Sequence, residues 1–138
     1  MEWFSKDGYW RGILLSAIIF TSLFLIHIVL AANGYLTLFK IVAILITIHA
    51  IAVGPTIVIF GQINDAQTKT VALKIGLIIA IPLNIGLGWA YAGMMFSITW
   101  MVPFVVLTIA LHSLAIRRTE RQCERRDSNP GSSVGNAR

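Results

Sequence analysis

Charged side chains are scarce in this sequence. Only 12% of its 138 residues are charged and 57% are hydrophobic, whereas a soluble domain is about 25% charged and about 45–50% apolar. Within 12–116 the charged residues are limited to Lys40, Asp65, Lys69 and Lys74. A water-soluble globule built from this stretch would expose a large apolar surface. The composition therefore excludes a soluble globular protein and predicts an integral membrane protein.

Cysteine pairs, metal clusters and catalytic motifs are also lacking. The single cysteine, Cys123, has no partner for an internal disulfide, and no Cys/His cluster has the spacing of a zinc site. The polar loop 61–74 contains neither a glycine-rich phosphate loop nor a nucleophile elbow. Its Asp65 is expected to cap the following helix or to pair with Lys69. No metal is expected, and the protein is predicted not to be an enzyme.

Four apolar stretches are each close to the roughly 20 residues that a helix needs to cross a bilayer. The last two form one uncharged run of about twice that length, so the chain must turn back within it. Trp89, Tyr91 and Trp100 bracket a turn at 92–99, because such rings prefer the headgroup region. The sequence thus predicts an all-α integral membrane protein, a four-transmembrane-helix bundle with short hairpins. Its predicted spans are 12–32, 41–60, 75–91 and 100–116.

Lysine and arginine are concentrated on one side of these predicted spans. Lys6 and Arg11 precede the first span, Lys69 and Lys74 lie in the middle loop, and arginines follow the fourth span. The opposite side has only Lys40. Positively charged short loops tend to remain in the cytoplasm. We therefore expect a multi-pass protein of the cell membrane with both termini cytoplasmic.

The two ends of the chain differ in composition from the spans. Residues 1–11 mix aromatic rings with charges and predict a segment lying in the inner interface. Residues 117–138 contain six arginines, five of which precede a run rich in Ser, Asn, Pro and Gly, and this composition predicts a disordered basic cytoplasmic tail. An alternative is that this tail is a reading-frame accident, because codons for 126–130 can match the complement of a transfer-RNA arm. A cleaved signal peptide ending at Ala31 is disfavoured, since its apolar run exceeds the usual length of about 7–15 residues.

The excess of positive charge, +5 in total, lies mostly in that tail. It is interpreted as a topology signal, and no other feature of the sequence supports binding to nucleic acid. The expected partners are the lipid bilayer together with another membrane protein or further copies of the chain.

Three histidines lie within the predicted spans: His27 in the first, His49 in the second and His112 in the fourth. Two membrane histidines that face each other can supply both axial ligands of a b-type haem. The simpler interpretation is that each histidine hydrogen-bonds a polar group on a neighbouring helix. This second interpretation is preferred, and haem b bound by these histidines remains an alternative.

Small and polar residues recur at helical spacing in the third span. Ala80, Asn84 and Gly88 follow one another at four-residue steps, a pattern typical of close helix packing. Asn84 is expected to form an interhelical hydrogen bond worth about 1 kcal/mol. Other polar residues are expected to share inward helix faces in pairs: Ser16 with His27, His49 with Thr56, and Thr108 with His112.

Proline occurs in three of the four predicted spans, as Pro55, Pro82 and Pro103. Each removes a backbone hydrogen bond and can bend its helix. The preferred function is that of a non-enzymatic accessory or self-associating membrane subunit, because small-residue packing occurs without a catalytic constellation. Two alternatives remain: a haem-binding electron-transfer subunit, and a small channel or carrier lined near Pro55 and Asn84, since transporters use broken helices.

Overall fold

A computed structural model describes residues 8–128, leaving out the side chains at 91–100, 126 and 127. Within this part of the chain every regular element is a helix: α1 (Tyr9–Ala32), α2 (Leu36–Ile51), α3 (Val53–Gly61) and α4 (Ala66–Asp127). Three segments are long and apolar enough to cross a membrane: Tyr9–Ala32, Ala66–Ala90 and Met101–Arg125. Helices α2 and α3 together pass the same test but are bent by 81° at the break between them. The architecture is that of an all-helical membrane protein.

Helix α4 folds back on itself. In a straight helix Asn84 and Thr108, which are 24 residues apart, would be separated by about 36 Å. Their side chains instead lie within hydrogen-bonding distance, at 3.3 Å. Gly88 also faces Met101, so the direction of the chain reverses between these two residues. The interval includes the predicted turn at 92–99, where the structure does not describe the side chains. We call Ala66–Ala90 the first limb and Met101–Arg125 the second limb of α4.

Helix α1 runs antiparallel to the α2–α3 pair. Near the end of α1, the ring of His27 stacks on Phe39 at the beginning of α2, with ring centroids 4.0 Å apart. Just before α1, the backbone of Gly8 lies against Gly61 at the end of α3. The bent pair therefore contacts both ends of α1.

The buried apolar core is small and lies on both sides of the break. One cluster of buried residues contains Val53 and Ile57 of α3, which pack against α4. A second cluster, on the other side of the break, contains Ile46 of α2. Many large apolar side chains face outward instead, such as Ile59 at 69% and Ile78 at 68% exposure. In a bilayer these side chains are solvated by lipid tails. The chain can therefore be strongly hydrophobic and still have only a small buried core.

The second predicted span, 41–60, differs from the structure in two respects. Helix α2 already begins at Leu36, so Lys40 lies inside it rather than before it. The helix also breaks at Ala52, shortly before Pro55. The ring of Pro55 has no N–H to donate and would collide with the carbonyl of Ile51 in an unbroken helix.

The middle loop is shorter than the predicted 61–74, because α3 ends at Gly61 and α4 begins at Ala66. A carboxylate oxygen of Asp65 accepts hydrogen bonds from the backbone N–H of Thr68 at 2.7 Å and from its hydroxyl at 2.9 Å. The predicted capping role of Asp65 is thus observed. The hydrogen bond from the Thr68 N–H, followed by that from its hydroxyl, lowers the pKa of Asp65 below its ordinary value. Both hydrogen bonds do so because they stabilise the carboxylate.

The end of the chain also differs from the predicted disordered tail. Helix α4 continues to Asp127, so residues 117–127 are helical. Arginine and glutamate are good helix formers, and extending an existing helix requires no new nucleation. Glu120 also lies 3.4 Å from Lys74 of the first limb. Residues 1–7 of the predicted interfacial segment and 129–138 of the predicted tail lie outside the described residues.

Candidate functional site

A backbone hydrogen bond is missing at the bend between α2 and α3. In an unbroken helix the N–H of Gly54 would donate to the carbonyl of Ala50, four residues earlier. Here the Gly54 N–H donates instead to Nε2 of His112, at 3.0 Å. The Ala50 carbonyl accepts a hydrogen bond from Nδ2 of Asn84, also at 3.0 Å. Both ends of the missing bond are therefore satisfied by side chains of α4.

Thr108 links the two side chains that satisfy the break. Its hydroxyl oxygen lies 3.3 Å from Nδ2 of Asn84, and its backbone carbonyl accepts a hydrogen bond from Nδ1 of His112 at 2.8 Å. Three side chains and three backbone groups thus form one continuous set of hydrogen bonds. We call this set the helix-break network, and its members are Ala50, Gly54, Asn84, Thr108 and His112.

The helix-break network is buried and uncharged. Asn84 is 4% exposed, and Thr108 and His112 are fully buried. The Gly54 N–H can only donate and the Thr108 carbonyl can only accept, so the proton of His112 resides on Nδ1 and the imidazole is neutral. Burying polar groups is unfavourable unless they are hydrogen-bonded. Neutrality and mutual pairing together allow these groups to lie among apolar side chains.

Two glycines allow α4 to approach the break. A Cβ on Gly76 would collide with the backbone of Gly54, and a Cβ on Gly54 would lie 2.6 Å from the ring of His112. Ala72 and Ala80, one turn to either side of Gly76, are fully buried. The close backbone contact between the first limb and α3 therefore brings His112 and Asn84 within reach of the break.

The predicted stripe of Ala80, Asn84 and Gly88 lies partly along this contact. The carbonyl of Ala80 accepts a second hydrogen bond from Nδ2 of Asn84, at 2.7 Å, and Gly88 faces the second limb of α4. Sequence reasoning missed Gly76 and Gly54. The signal was present, because Gly76 continues the four-residue spacing of the stripe by one turn and Gly54 precedes a proline.

The other two histidines have separate surroundings. His27 is buried and stacks on Phe39. His49 is half-buried, and its Nε2 lies 3.0 Å from the hydroxyl oxygen of Ser16 on α1. Thr108 and His112 lie on one face of their helix, as expected. His49 and Thr56 do not, because the break at Ala52 separates α2 from α3 between these two residues. The hydroxyl of Thr56 bonds the carbonyl of Ala52 in its own helix.

His112 is not free to serve as an axial haem ligand as it is arranged. Both ring nitrogens of His112 are engaged, Nε2 by Gly54 and Nδ1 by Thr108. A metal ligand needs a free nitrogen lone pair, so coordination by His112 would require breaking the helix-break network. Among the described residues there is also no group of three His, Cys, Asp or Glu side chains that could hold a metal ion.

A cavity of about 190 Å³ lies beside the break. It is lined by residues of α1 and of the first limb of α4, by His49 of α2 and by the beginning of α3. Most of its lining is apolar, and Ser16, Thr21 and His49 contribute the polar groups. We call it the Ser16–His49 cavity.

Comparisons with protein-family models, curated proteins and solved structures find no match to this chain. The class of protein is therefore defined by the fold itself. It is an all-helical membrane protein in which a bent pair of apolar helices is held by intramembrane hydrogen bonds from a helix that folds back on itself.

Proposed function

We propose that the protein is a non-enzymatic multi-pass membrane subunit that acts through contacts between helices, either beside another membrane protein or as an oligomer of its own. The observation that carries this proposal is the helix-break network. Its three side chains, Asn84, Thr108 and His112, all bond backbone groups or one another. Polar groups used in this way hold the helices of the chain together and are engaged in that packing rather than directed at a substrate.

The proposed topology has four spans, with the α2–α3 pair as one broken span. The alternative is a re-entrant loop, in which α3 would return to the side where α2 begins. Contacts with α1 favour the broken span, because α2 begins beside the end of α1 and α3 ends beside its start, at Gly8 and Gly61. Both ends of the missing hydrogen bond are satisfied by protein, as a break at membrane depth requires.

The proposed orientation places both termini in the cytoplasm. The contacts between Gly8 and Gly61 and between Lys74 and Glu120 bring the start of α1, the middle loop and the second limb of α4 to one end of the molecule. Arg11, the loop lysines and the arginines after 116 therefore share this end, and the positive-inside rule assigns it to the cytoplasm.

Purification in a mild detergent tests the proposed function directly. We expect light scattering after gel filtration to give either a multiple of the 15.2 kDa chain mass or a stoichiometric complex with a second membrane protein. A strictly monomeric chain with no partner contradicts the proposal. A visible spectrum of the same sample tests the haem alternative, and a Soret band would establish it.

A carrier or channel is the second candidate, because broken spans occur at the binding sites of transporters. Reconstitution into liposomes separates it from the first. A carrier predicts solute flux that falls when Asn84→Leu removes the amide beside the break. Asn33→Leu is the matched control, because the Asn33 amide is exposed and donates to the carbonyl of Val29 in its own helix, at 2.8 Å.

A further inference from the structure

The Ser16–His49 cavity contains polar groups that lie outside the helix-break network. Ser16 is 5% exposed, and its hydroxyl oxygen lies 3.0 Å from Nε2 of His49, a residue 33 positions further along the chain. Both residues line the cavity together with Phe20, whose ring centroid is 6.1 Å from that of His49. An apolar concave site with a few convergent polar groups is the usual form of a small-molecule binding site.

The hydrogen bond between Ser16 and His49 leaves capacity for a ligand in either tautomer of the histidine. When Nε2 of His49 lacks a proton, Ser16 donates to it and keeps lone pairs that accept a hydrogen bond from a ligand hydroxyl. When Nε2 carries the proton, it donates to Ser16, whose own hydroxyl hydrogen can then bond a ligand carbonyl. The pair can therefore bind a hydroxyl or a carbonyl oxygen.

The size and lining of the cavity limit the rest of the ligand. At about 190 Å³ it is slightly larger than an apolar protein cavity of about 150 Å³ that binds benzene. Phe20 offers an aromatic surface, and aliphatic side chains of α3 and α4 such as Ile57 and Leu83 complete the lining. This space accommodates one aromatic ring.

We propose that the Ser16–His49 cavity binds a small ligand made of a single aromatic ring that bears a hydroxyl or carbonyl oxygen. The oxygen is held by Ser16 and His49, and the ring packs against Phe20. Such a molecule partitions into lipid and reaches the cavity from the bilayer. The proposed site does not rest on the proposed subunit function.

Fluorine NMR of the full chain in lipid nanodiscs tests the site with two probes, 4-fluorophenol and fluorobenzene. They share the ring, and only the first has a hydroxyl. Empty nanodiscs give the non-saturable partition of each probe into lipid. We expect saturable binding of 4-fluorophenol to the wild-type protein and binding of fluorobenzene at least about 10-fold weaker. Ser16→Ala is expected to weaken 4-fluorophenol about 5- to 10-fold, as loss of one hydrogen bond implies, and to leave fluorobenzene unchanged.

Cavity-filling variants locate the binding. Ala17→Phe fills the cavity from α1 and is expected to abolish saturable binding. Ile79→Trp narrows it from α4 and provides the same test if the first variant does not fold, as judged by circular dichroism. Ala31→Phe makes the matched substitution at an exposed position of α1 about 21 Å further along the helix, and it is expected to bind as the wild type does.

Three results would overturn the proposal. The first is a 4-fluorophenol signal that shows only the partition seen in empty nanodiscs. The second is saturable binding that survives in every cavity-filling variant that folds. The third is equal affinity for the two probes with no effect of Ser16→Ala, which would identify a purely apolar cavity instead of a site for an oxygen-bearing ring.

Discussion

Replacing Asn84 by leucine tests how the helix break is stabilised. Leucine has the same branched shape and number of heavy atoms as asparagine, although its methyl groups are bulkier than the amide, and its side chain neither donates nor accepts hydrogen bonds. The substitution removes the hydrogen bonds from Nδ2 to the Ala50 carbonyl at 3.0 Å and to the Ala80 carbonyl at 2.7 Å, and the longer contact with Thr108 at 3.3 Å. The Ala80 carbonyl keeps its place in the helical ladder of α4. The Ala50 carbonyl does not, because its helical donor, the Gly54 N–H, points to His112.

The expected magnitude follows from that one carbonyl. An interhelical hydrogen bond in a membrane protein contributes about 0.6 kcal/mol on average and up to about 1.7 kcal/mol. Leaving a buried acceptor without any donor costs about 1–3 kcal/mol. Since Asn84 is 4% exposed and water does not replace it, we expect Asn84→Leu to lower the free energy of unfolding by about 1–2 kcal/mol. This corresponds to a 5- to 30-fold change in the ratio of folded to unfolded protein.

Unfolding by sodium dodecyl sulfate in mixed micelles, followed by circular dichroism, measures this difference. Asn33→Leu provides the control, because Asn33 is exposed and its hydrogen bond is confined to α1. We expect the control to change the unfolding free energy by less than about 0.5 kcal/mol, as surface substitutions usually do. Equal unfolding midpoints for Asn84→Leu and the wild type would refute the role assigned to Asn84 in holding the break.

Three further predictions use the same unfolding assay. His112→Phe should destabilise the protein by about 1–3 kcal/mol, since it leaves the Gly54 N–H without its acceptor; an unchanged midpoint would contradict this. Gly76→Ala should destabilise by about 1–3 kcal/mol through overpacking, whereas Gly86→Ala, whose added Cβ meets nothing within 4 Å, should stabilise by up to about 1 kcal/mol; equal effects would exclude the close contact. Asp65, whose pKa is lowered, contributes stability that is present above the unfolded-state pKa of about 3.9 and is lost as pH falls through the lower folded-state pKa. Asp65→Asn should therefore flatten the stability curve below about pH 4, and a curve as steep as that of the wild type would show that another group titrates there.

Much of the architecture could be predicted from the sequence, because lipid imposes strong constraints on it. Charge scarcity and the length of the apolar runs indicated an all-helical membrane protein, and aromatic rings near 89–100 indicated a reversal within the long uncharged run. The helix ends were less well predicted. Lys40 suggested a boundary, yet a single lysine near a helix end can extend its ammonium group to the interface while its backbone stays helical.

The roles of the polar residues could be predicted only in part. Asn84 was expected to bond a neighbouring helix, and it does, at Ala50. The acceptor role of His112 could not be anticipated, because its partner Gly54 lies 58 residues earlier and the bond exists only after α4 reverses and packs at Gly76. Pro55 indicated a bend, but local sequence does not encode which distant side chains satisfy the groups that a bend releases.

The helix-break network has a consequence for biosynthesis. The segment around Gly54 is synthesised well before Asn84 and His112, which supply the partners of the Gly54 N–H and the Ala50 carbonyl. The hydrogen bonds that hold the bend therefore form only after both limbs of α4 have been made. A chain shortened to end before Thr108 lacks His112, and we expect its α2–α3 segment to be less protected from amide hydrogen exchange than in the full chain.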